Sequence, residues 1–327
     1  MAKYRVLYTD TGMEDIEIEK HVLEQGDAEL FMASSIDEET LMREGMNCDG
    51  IMIEYAPITK KILDIWGKGG RVQVVARQGI GVNNIDVEAA SQNDIMVANV
   101  PDYCLDEVAD HTMALTLCLA RELFSYFKRV REGNFSELPV RPIHRLWNQN
   151  FCLYGFGNIS KGVACRAKAF GFRVYAYDPY ADDRDFETYE VERMNSLVEM
   201  ASIADYLSVH VPLNEGTEAS VNRQVFEAMK PTAFFINTSR GSIVHEKDLI
   251  DALQNKQIYG AGLDVLETEP PDPKNPLLWM ENVIITPHAS WCSQEADEEL
   301  RRKMAENVIL ALTEGRPRGF VNHKAFL

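Results

Sequence analysis

The stretch FCLYGFGNIS, residues 151 to 160, decides how this chain is read. Phe151 to Tyr154 form a short apolar strand, Gly155 and Gly157 make a Gly-x-Gly turn, and Ile159, Val163, Ala167 and Phe170 recur at helical spacing behind it. Gly171 stops that helix. Strand, glycine turn and helix is the arrangement in which backbone approaches a pyrophosphate lying on a helix N-terminus. The next strand, FRVYAYD (172–178), ends in Asp178, 21 residues past Gly157, where a carboxylate can bond both hydroxyls of an adenosine ribose. The usual third glycine is Ser160 here. That position only lets the helix pack close to the strand, and Ser is barely larger than the Ala it tolerates. A plain glycine-containing turn is the bland alternative; strand, turn, helix and acid together favour a dinucleotide. The charge of Asp178 would repel a 2′-phosphate, which favours NAD over NADP, with Arg184 in the following loop the residue that could soften this.

Working outward, strand-like runs continue through YLSVHV (206–211), AFFINT (233–238), IYGAGLDV (258–265) and NVIITP (282–287), with helical stretches at 159–170, 219–229 and 245–254. They predict a doubly wound α/β domain of six strands whose ligands sit beyond the carboxyl ends of the strands. Upstream, YRVLYT (4–9), GIMIEY (50–55) and VQVVAR (72–77) alternate with helical stretches at 15–24 and 58–66, predicting a second parallel sheet covered by helices. The segment 106–131 breaks this rhythm. It reads as one long helix, apolar on much of its circumference (Val108, Met113, Leu115, Leu117, Leu119, Leu123, Phe124, Phe127), and so buried in the fold or in a subunit interface.

With 327 residues, 46% of them hydrophobic, the chain can bury two ordinary domains. A net charge of −18 argues against a nucleic-acid partner, whose phosphates it would repel. Cysteines 48, 104, 118, 152, 165 and 292 form no C-x-x-C pair and no cluster at ligand spacing, so a reducing compartment is expected and no metal site. MAKYRVLYTD enters a strand almost at once, leaving no room for a signal peptide, and no apolar run is long enough for a membrane span; the expectation is a cytoplasmic protein with no membrane partner.

Three further stretches end strands of the same sheet: INTSRGSIV carries Arg240, GLDVLETEPP carries Asp264 and Glu269, and ITPHASW carries His288 and Trp291. Singly, such an Arg, Glu or His is more often a surface charge or a structural residue than a functional one. In this order, however, the Gly-x-Gly turn, Asp178, NTSRG, LDV…EP and TPH resemble the D-isomer-specific 2-hydroxyacid dehydrogenase family over essentially the whole chain. NVPDYCLDEVADHT, RAKAFGFRVYAYDPY, TPHASWCS and GRPRGFVN look most like its C-terminal-binding-protein branch.

The resemblance implies two Rossmann-like or flavodoxin-like domains with the active site in the interdomain cleft. The substrate-binding domain would be 1–100 plus 292–327 and the NAD-binding domain 101–291. It implies hydride transfer between NADH and a small 2-oxo acid, with His288 as general acid and base, Glu269 fixing the imidazole tautomer, and Arg240 forked onto the substrate's carboxylate and carbonyl oxygens. Asn158, Ile159, His210, Pro212, Thr238 and Asp264 would add cofactor contacts. From ARQGIGVNNID (76–86), the amides of Ile80 and Gly81 would meet the substrate carboxylate, with Arg77 lining the pocket; a plain strand-to-helix connection is the alternative there. Trp291 and Tyr55 would shape the pocket, although core packing explains Tyr55 equally well. Ser160, and Asn83 where the family commonly has Asp, are departures from the pattern.

Relatives are dimers through the 106–131 region, which implies a homodimer. Glyoxylate, hydroxypyruvate or a larger 2-oxo acid are the substrate candidates. Phosphoglycerate dehydrogenase is an alternative, with Arg141, His144 and Arg145 of VRPIHRLW (140–147) as phosphate ligands; an NAD(H)-sensing corepressor-like protein is another. Formate dehydrogenase is disfavoured, since formate needs no Glu–His proton relay.

Overall fold

Strand β1 (Tyr4–Tyr8) buries Val6, Leu7 and Tyr8 completely or nearly so, as expected for a strand covered on both faces. It pairs in parallel with β2 (Ala28–Met32) and β3 (Gly50–Ile53), and the sheet continues through β4 (Val74–Arg77) and β5 (Met96–Ala98) in the order β2-β1-β3-β4-β5. That is the flavodoxin-like order, with its switch point between β1 and β3. Helices α1 (Glu17–Gln25), α2 (Glu38–Gly45), α3 (Lys60–Lys68) and α4 (Val87–Gln92) fill the crossovers. Asp37, Thr59 and Asp86 begin the last three by accepting backbone N–H groups of the first turn. β2 and β5 escaped the sequence reading because β2 is half exposed and β5 is only three residues long.

The chain, a computed structural model describing residues 2–326, divides into two units. The first takes residues up to Tyr103 and those from Ser293 onward; the second is Cys104–Cys292.

The second unit opens with α5 (Leu105–Ala120) and α6 (Leu123–Arg131), so the segment 106–131 is two helices rather than one. They are broken by Glu122, which adopts a left-handed backbone (φ 52°). Its buried carboxylate pairs with Arg141 Nε at 3.0 Å and accepts the Val140 N–H at 3.0 Å. The Arg141 guanidinium also donates to the Leu119 carbonyl at the end of α5 and stacks over Phe234 and Tyr259. Arg141 is therefore consumed inside the fold, and its expected place in a phosphate pocket is corrected: a guanidinium wedged between two rings and a carboxylate has no face left for a phosphate. The break also divides the apolar surface. α5 buries Val108, Met113, Leu115 and Leu119, whereas α6 buries none of its residues and leaves Leu123, Phe124, Phe127 and Val130 about half exposed.

The sheet of this unit is β6 (Asn150–Tyr154), β7 (Arg173–Tyr177), β8 (Glu192–Arg193), β9 (Tyr206–Val209), β10 (Phe234–Asn237), β11 (Gly260–Leu263) and β12 (Val283–Ile285), all parallel, in the order β12-β11-β10-β9-β6-β7-β8. It has seven strands, not six, because the two exposed residues of β8 extend one edge. Helices α7 (Asn158–Ala169), α8 (Asp183–Thr188), α9 (Leu197–Ile203), α10 (Arg223–Ala228) and α11 (Glu246–Gln254) cover it. The switch point lies between β6 and β9, beside the Gly-x-Gly turn.

The last long helix, α12 (Gln294–Glu314), returns to the first unit and packs on α1, β3 and β4. Arg301 of α12 places two nitrogens on the Glu19 carboxylate, both at 2.8 Å, and a third bond on Asp15 Oδ1. Glu19 is fully buried. No described helix is long and apolar enough to cross a membrane.

Arg301→Met strands the buried Glu19 carboxylate and is expected to cost about 3–5 kcal/mol, read as a lower urea midpoint. The double change Glu19→Leu/Arg301→Met should recover part of the loss; a midpoint unmoved by Arg301→Met would show that the pair does not tie α12 to the unit.

Candidate active site

Gly155 ends β6 with φ at +96°, and a Cβ there would lie 2.8 Å from the His210 carbonyl. Both conformation and space demand glycine. Gly157 is different. Its φ is −81° and a Cβ would meet no protein atom within 4 Å, so neither backbone strain nor protein packing calls for glycine there. The remaining reason is room for a bound group, and a pyrophosphate on the first turn of α7, at Asn158 and Ile159, fits that cradle. Ser160 is fully buried and donates its hydroxyl to the Gly155 carbonyl at 2.6 Å, so it closes the turn in addition to permitting close packing. Asp178 accepts the Phe156 N–H on one oxygen and those of Tyr180 and Ala181 on the other. Three amides thus hold its carboxylate beside the turn. Arg184 lies bidentate on Asp182, and Arg193 bonds Asp183 and the Asp178 carbonyl.

The other dinucleotide candidates stand at the same end of neighbouring strands. His210 follows β9, bonds Ser208 Oγ at 2.8 Å, and burial pushes its imidazole down to about 3, so the ring is neutral near pH 7. Pro212 is exposed, and its carbonyl accepts the Thr217 hydroxyl. Thr238, after β10, is buried with its hydroxyl 2.9 Å from that of Thr112 on α5.

Asp264, at the end of β11, is enclosed. Its carboxylate accepts the Thr286 hydroxyl at 2.6 Å and the amides of Ala289 and Ser290 at 2.9 Å. Its carbonyl accepts the His288 N–H. The structure thus gives Asp264 a role the sequence did not announce: it holds the turn that carries His288, whose φ of +53° is left-handed. His288 Nδ1 lies 2.7 Å from Glu269 Oε2, while Glu269 Oε1 accepts the Leu266 N–H. Burial alone would raise the Glu269 carboxyl. The His288 hydrogen bond, the Leu266 amide and the charges of His288 and Arg240 outweigh it and hold the group below its ordinary value. Arg240 follows β10 on a loop fixed by the buried Asn237, which donates to the Arg240 carbonyl. The three residues first read from separate motifs therefore converge at one sheet edge, with Trp291, partly buried, just past them.

In the first unit, Arg77 ends β4 and the loop after it turns at Gly79 (φ 133°). The N–H groups of Ile80 and Gly81 meet no acceptor among the described residues, and Asn99 holds the Ile80 carbonyl. A pair of successive amides without a protein acceptor suits a carboxylate. Tyr55 is 70% exposed, which excludes the core-packing alternative. Asp10 presents it by accepting the amides of Glu54, Tyr55 and Ala56.

Sequence reasoning missed Asn237, Ser208, Thr286 and the His111–Thr112 pair of α5. The last carried no distinct signal, since α5 also holds Asp106, Glu107, Asp110 and Thr116.

A family model described as D-isomer specific 2-hydroxyacid dehydrogenase, NAD binding domain, matches residues 113–290. The chain is 33% identical over 315 residues to a hydroxypyruvate reductase of Thermotoga maritima, covering 95% of this chain and 99% of that one. It is 34% identical over 318 residues to a D-3-phosphoglycerate dehydrogenase of Methanocaldococcus jannaschii, covering 93% of this chain but spanning only 59% of that protein's length. Its fold matches an NADPH-dependent glyoxylate/hydroxypyruvate reductase from Sinorhizobium meliloti in complex with NADP and malonate at a TM-score of 0.87, with 28% identity over 99% of this chain and 98% of that one. It also matches a D-lactate dehydrogenase from Aquifex aeolicus complexed with NAD and lactic acid at 0.82, with 27% identity over 95% and 96% of the two chains. The chain belongs to the D-isomer specific 2-hydroxyacid dehydrogenase family. It is an oxidoreductase with an NAD(P)-binding domain.

Gly157→Ala is expected to leave the thermal midpoint of the ligand-free protein unchanged while weakening NADH binding, measured by fluorescence titration. Gly155→Ala should lower the midpoint as well, by about 2–4 °C or more, because the clash with the His210 carbonyl adds to about 1 kcal/mol of backbone strain. Unchanged NADH affinity in the Gly157 variant would remove the cradle.

Proposed function

We propose that this protein is an NAD-dependent D-2-hydroxyacid dehydrogenase that interconverts a small 2-oxo acid and its 2-hydroxy acid, with glyoxylate and hydroxypyruvate as the first substrates to try. The observation that carries the reading is the 2.7 Å bond between His288 Nδ1 and Glu269 Oε2, with the Arg240 charge acting on the same carboxylate.

The bound nicotinamide supplies or takes the hydride at the substrate's carbon. The protein handles the proton and the charge. An ionised Glu269 can only accept, so the Nδ1 proton of His288 stays directed at it and Nε2 faces the reacting oxygen. In reduction His288 delivers a proton from Nε2 to the carbonyl oxygen as that oxygen becomes a hydroxyl; in oxidation the proton returns to the same nitrogen. Arg240 forks onto the substrate's carboxylate and carbonyl oxygens, orienting the acid and stabilising charge at the reacting oxygen. We assign the amides of Ile80 and Gly81 to the substrate carboxylate and Arg77, Tyr55 and Trp291 to pocket contacts.

NAD is preferred over NADP in this reading. Asp178 presents negative charge where a 2′-phosphate would lie, its carboxylate fixed there by three backbone amides. A phosphorylated substrate has less support, because Arg141 is used inside the fold. We further assign the exposed Leu123, Phe124, Phe127 and Val130 of α6 to a homodimer interface, since apolar side chains grouped along one short helix call for a cover.

His288→Asn should lower kcat/KM by about 10²–10⁴ with NADH binding retained, and wild-type kcat/KM should be higher with NADH than with NADPH. Steady NADH oxidation across a panel of 2-oxo acids separates this reading from a dinucleotide-sensing binding protein; no turnover with any of them would overturn it. Phe124→Asp/Phe127→Asp should shift the sedimenting species from dimer to monomer, and a wild-type monomer at micromolar concentration would remove the interface.

A further inference from the structure

We propose that helix α5 sets the positions of the two reaction loops through the consecutive residues His111 and Thr112, which act as positioning residues for His288 and Arg240. The inference rests on the dehydrogenase reading for its meaning, though not for its test. His111 Nε2 lies 2.9 Å from the Thr286 hydroxyl, and that hydroxyl lies 2.6 Å from Asp264 Oδ1. A hydroxyl has one hydrogen, and the carboxylate takes it; Thr286 must therefore accept, and His111 must carry its proton on Nε2. The enclosed Asp264 carboxylate in turn holds the Ala289 and Ser290 amides just after His288, while Thr286 binds it from just before, so the strained turn is gripped on both sides. Among the described residues, His111, at 3.7 Å, is the one His, Lys or Arg side chain within ion-pair reach of this carboxylate.

Thr112 makes the matching bond on the other side. It gives its own hydrogen to the Val108 carbonyl at 2.8 Å, so the Thr238 hydroxyl donates to Thr112. Thr238 lies one residue from the Asn237 amide that grips the Arg240 carbonyl, and two from Arg240 itself. Neighbouring residues of a helix project about 100° apart, which lets one turn of α5 reach the ends of both β10 and β12, the strands flanking β11. Gly262 makes the reach possible. A Cβ in the middle of β11 would come 3.1 Å from Leu115 Cβ and 3.2 Å from Leu119 Cδ1, so glycine lets α5 lie low across the sheet.

The test is hydrogen exchange of segments 286–292 and 237–241, read by mass spectrometry alongside steady-state kinetics. His111→Leu should speed exchange in 286–292 by about tenfold, the equivalent of one lost buried hydrogen bond, and leave 237–241 alone. Thr112→Val should do the reverse. His111→Gln, whose Nε2 can still donate, should restore exchange to within about threefold of wild type. In kinetics, His111→Leu should lower kcat by about 10-fold or more through misplacement of His288, with the Kd for NADH unchanged. If the leucine variant does not fold, His111→Asn takes its place, its shorter amide falling short of Thr286. Equal loosening of both segments by either variant, no change in exchange, or failure of glutamine to restore it would overturn the proposal. A wild-type protein that turns over no 2-oxo acid would sink the dehydrogenase reading, and the exchange pattern would still decide this one.

Discussion

A carboxylate without exposed surface and, among the described residues, without a Lys or Arg counter-ion organises the turn that carries His288 in the second unit. Asp264 is tolerated in the interior because a hydroxyl and two backbone amides converge on it, and a buried charge left with fewer donors would be expelled or neutralised. The donors are not interchangeable: they come from residues 286, 289 and 290, so satisfying the carboxylate folds those residues into a tight turn. His288 is carried at its centre with a backbone that non-glycine residues rarely adopt. A residue in such a conformation persists only where the surroundings over-determine it, and here they do.

The rest of the site uses the ordinary consequence of a parallel sheet, that all carboxyl ends meet at one edge. Gly155 and His210 close together at the ends of β6 and β9, while Arg240, Glu269 and His288 follow β10, β11 and β12. Each loop has its own internal tie. Ser160 closes the Gly-x-Gly turn, three amides hold Asp178, Asn237 holds the Arg240 loop, and Glu269 caps the Leu266 amide while facing His288. The backbone groups of these loops thus find partners within the loops themselves.

A different balance governs 105–147. A helical period runs without a visible stop from Asp106 to Arg131, and nothing local marks Glu122 as a break. The break arises because Arg141, nineteen residues on, offers Glu122 a buried partner and stacks on two rings of the sheet. Ion pairing and stacking at a distance outweigh the modest preference of a Glu for staying helical. The same interaction removes Arg141 from the surface, where its neighbours in sequence had suggested an anion site.

Much of the fold was legible in the residues. Apolar runs at strand length, helical spacing between them, and the Gly-x-Gly turn with Asp178 after it define two doubly wound sheets and a dinucleotide loop, because period and turn chemistry are local properties that a few neighbouring residues express. Arg240, Glu269 and His288 were legible as motifs in a set order. Only the tertiary structure decided that Glu269 and His288 share a hydrogen bond, that Asp264 is sealed behind the turn, that His111 and Thr112 reach loops more than a hundred residues away, and that Gly157 is small for no reason within the protein. Hydrogen bonds and ion pairs between distant residues form only once chain entropy has been overcome by packing of the whole sheet, and no local pattern encodes which partner will then stand within 3 Å.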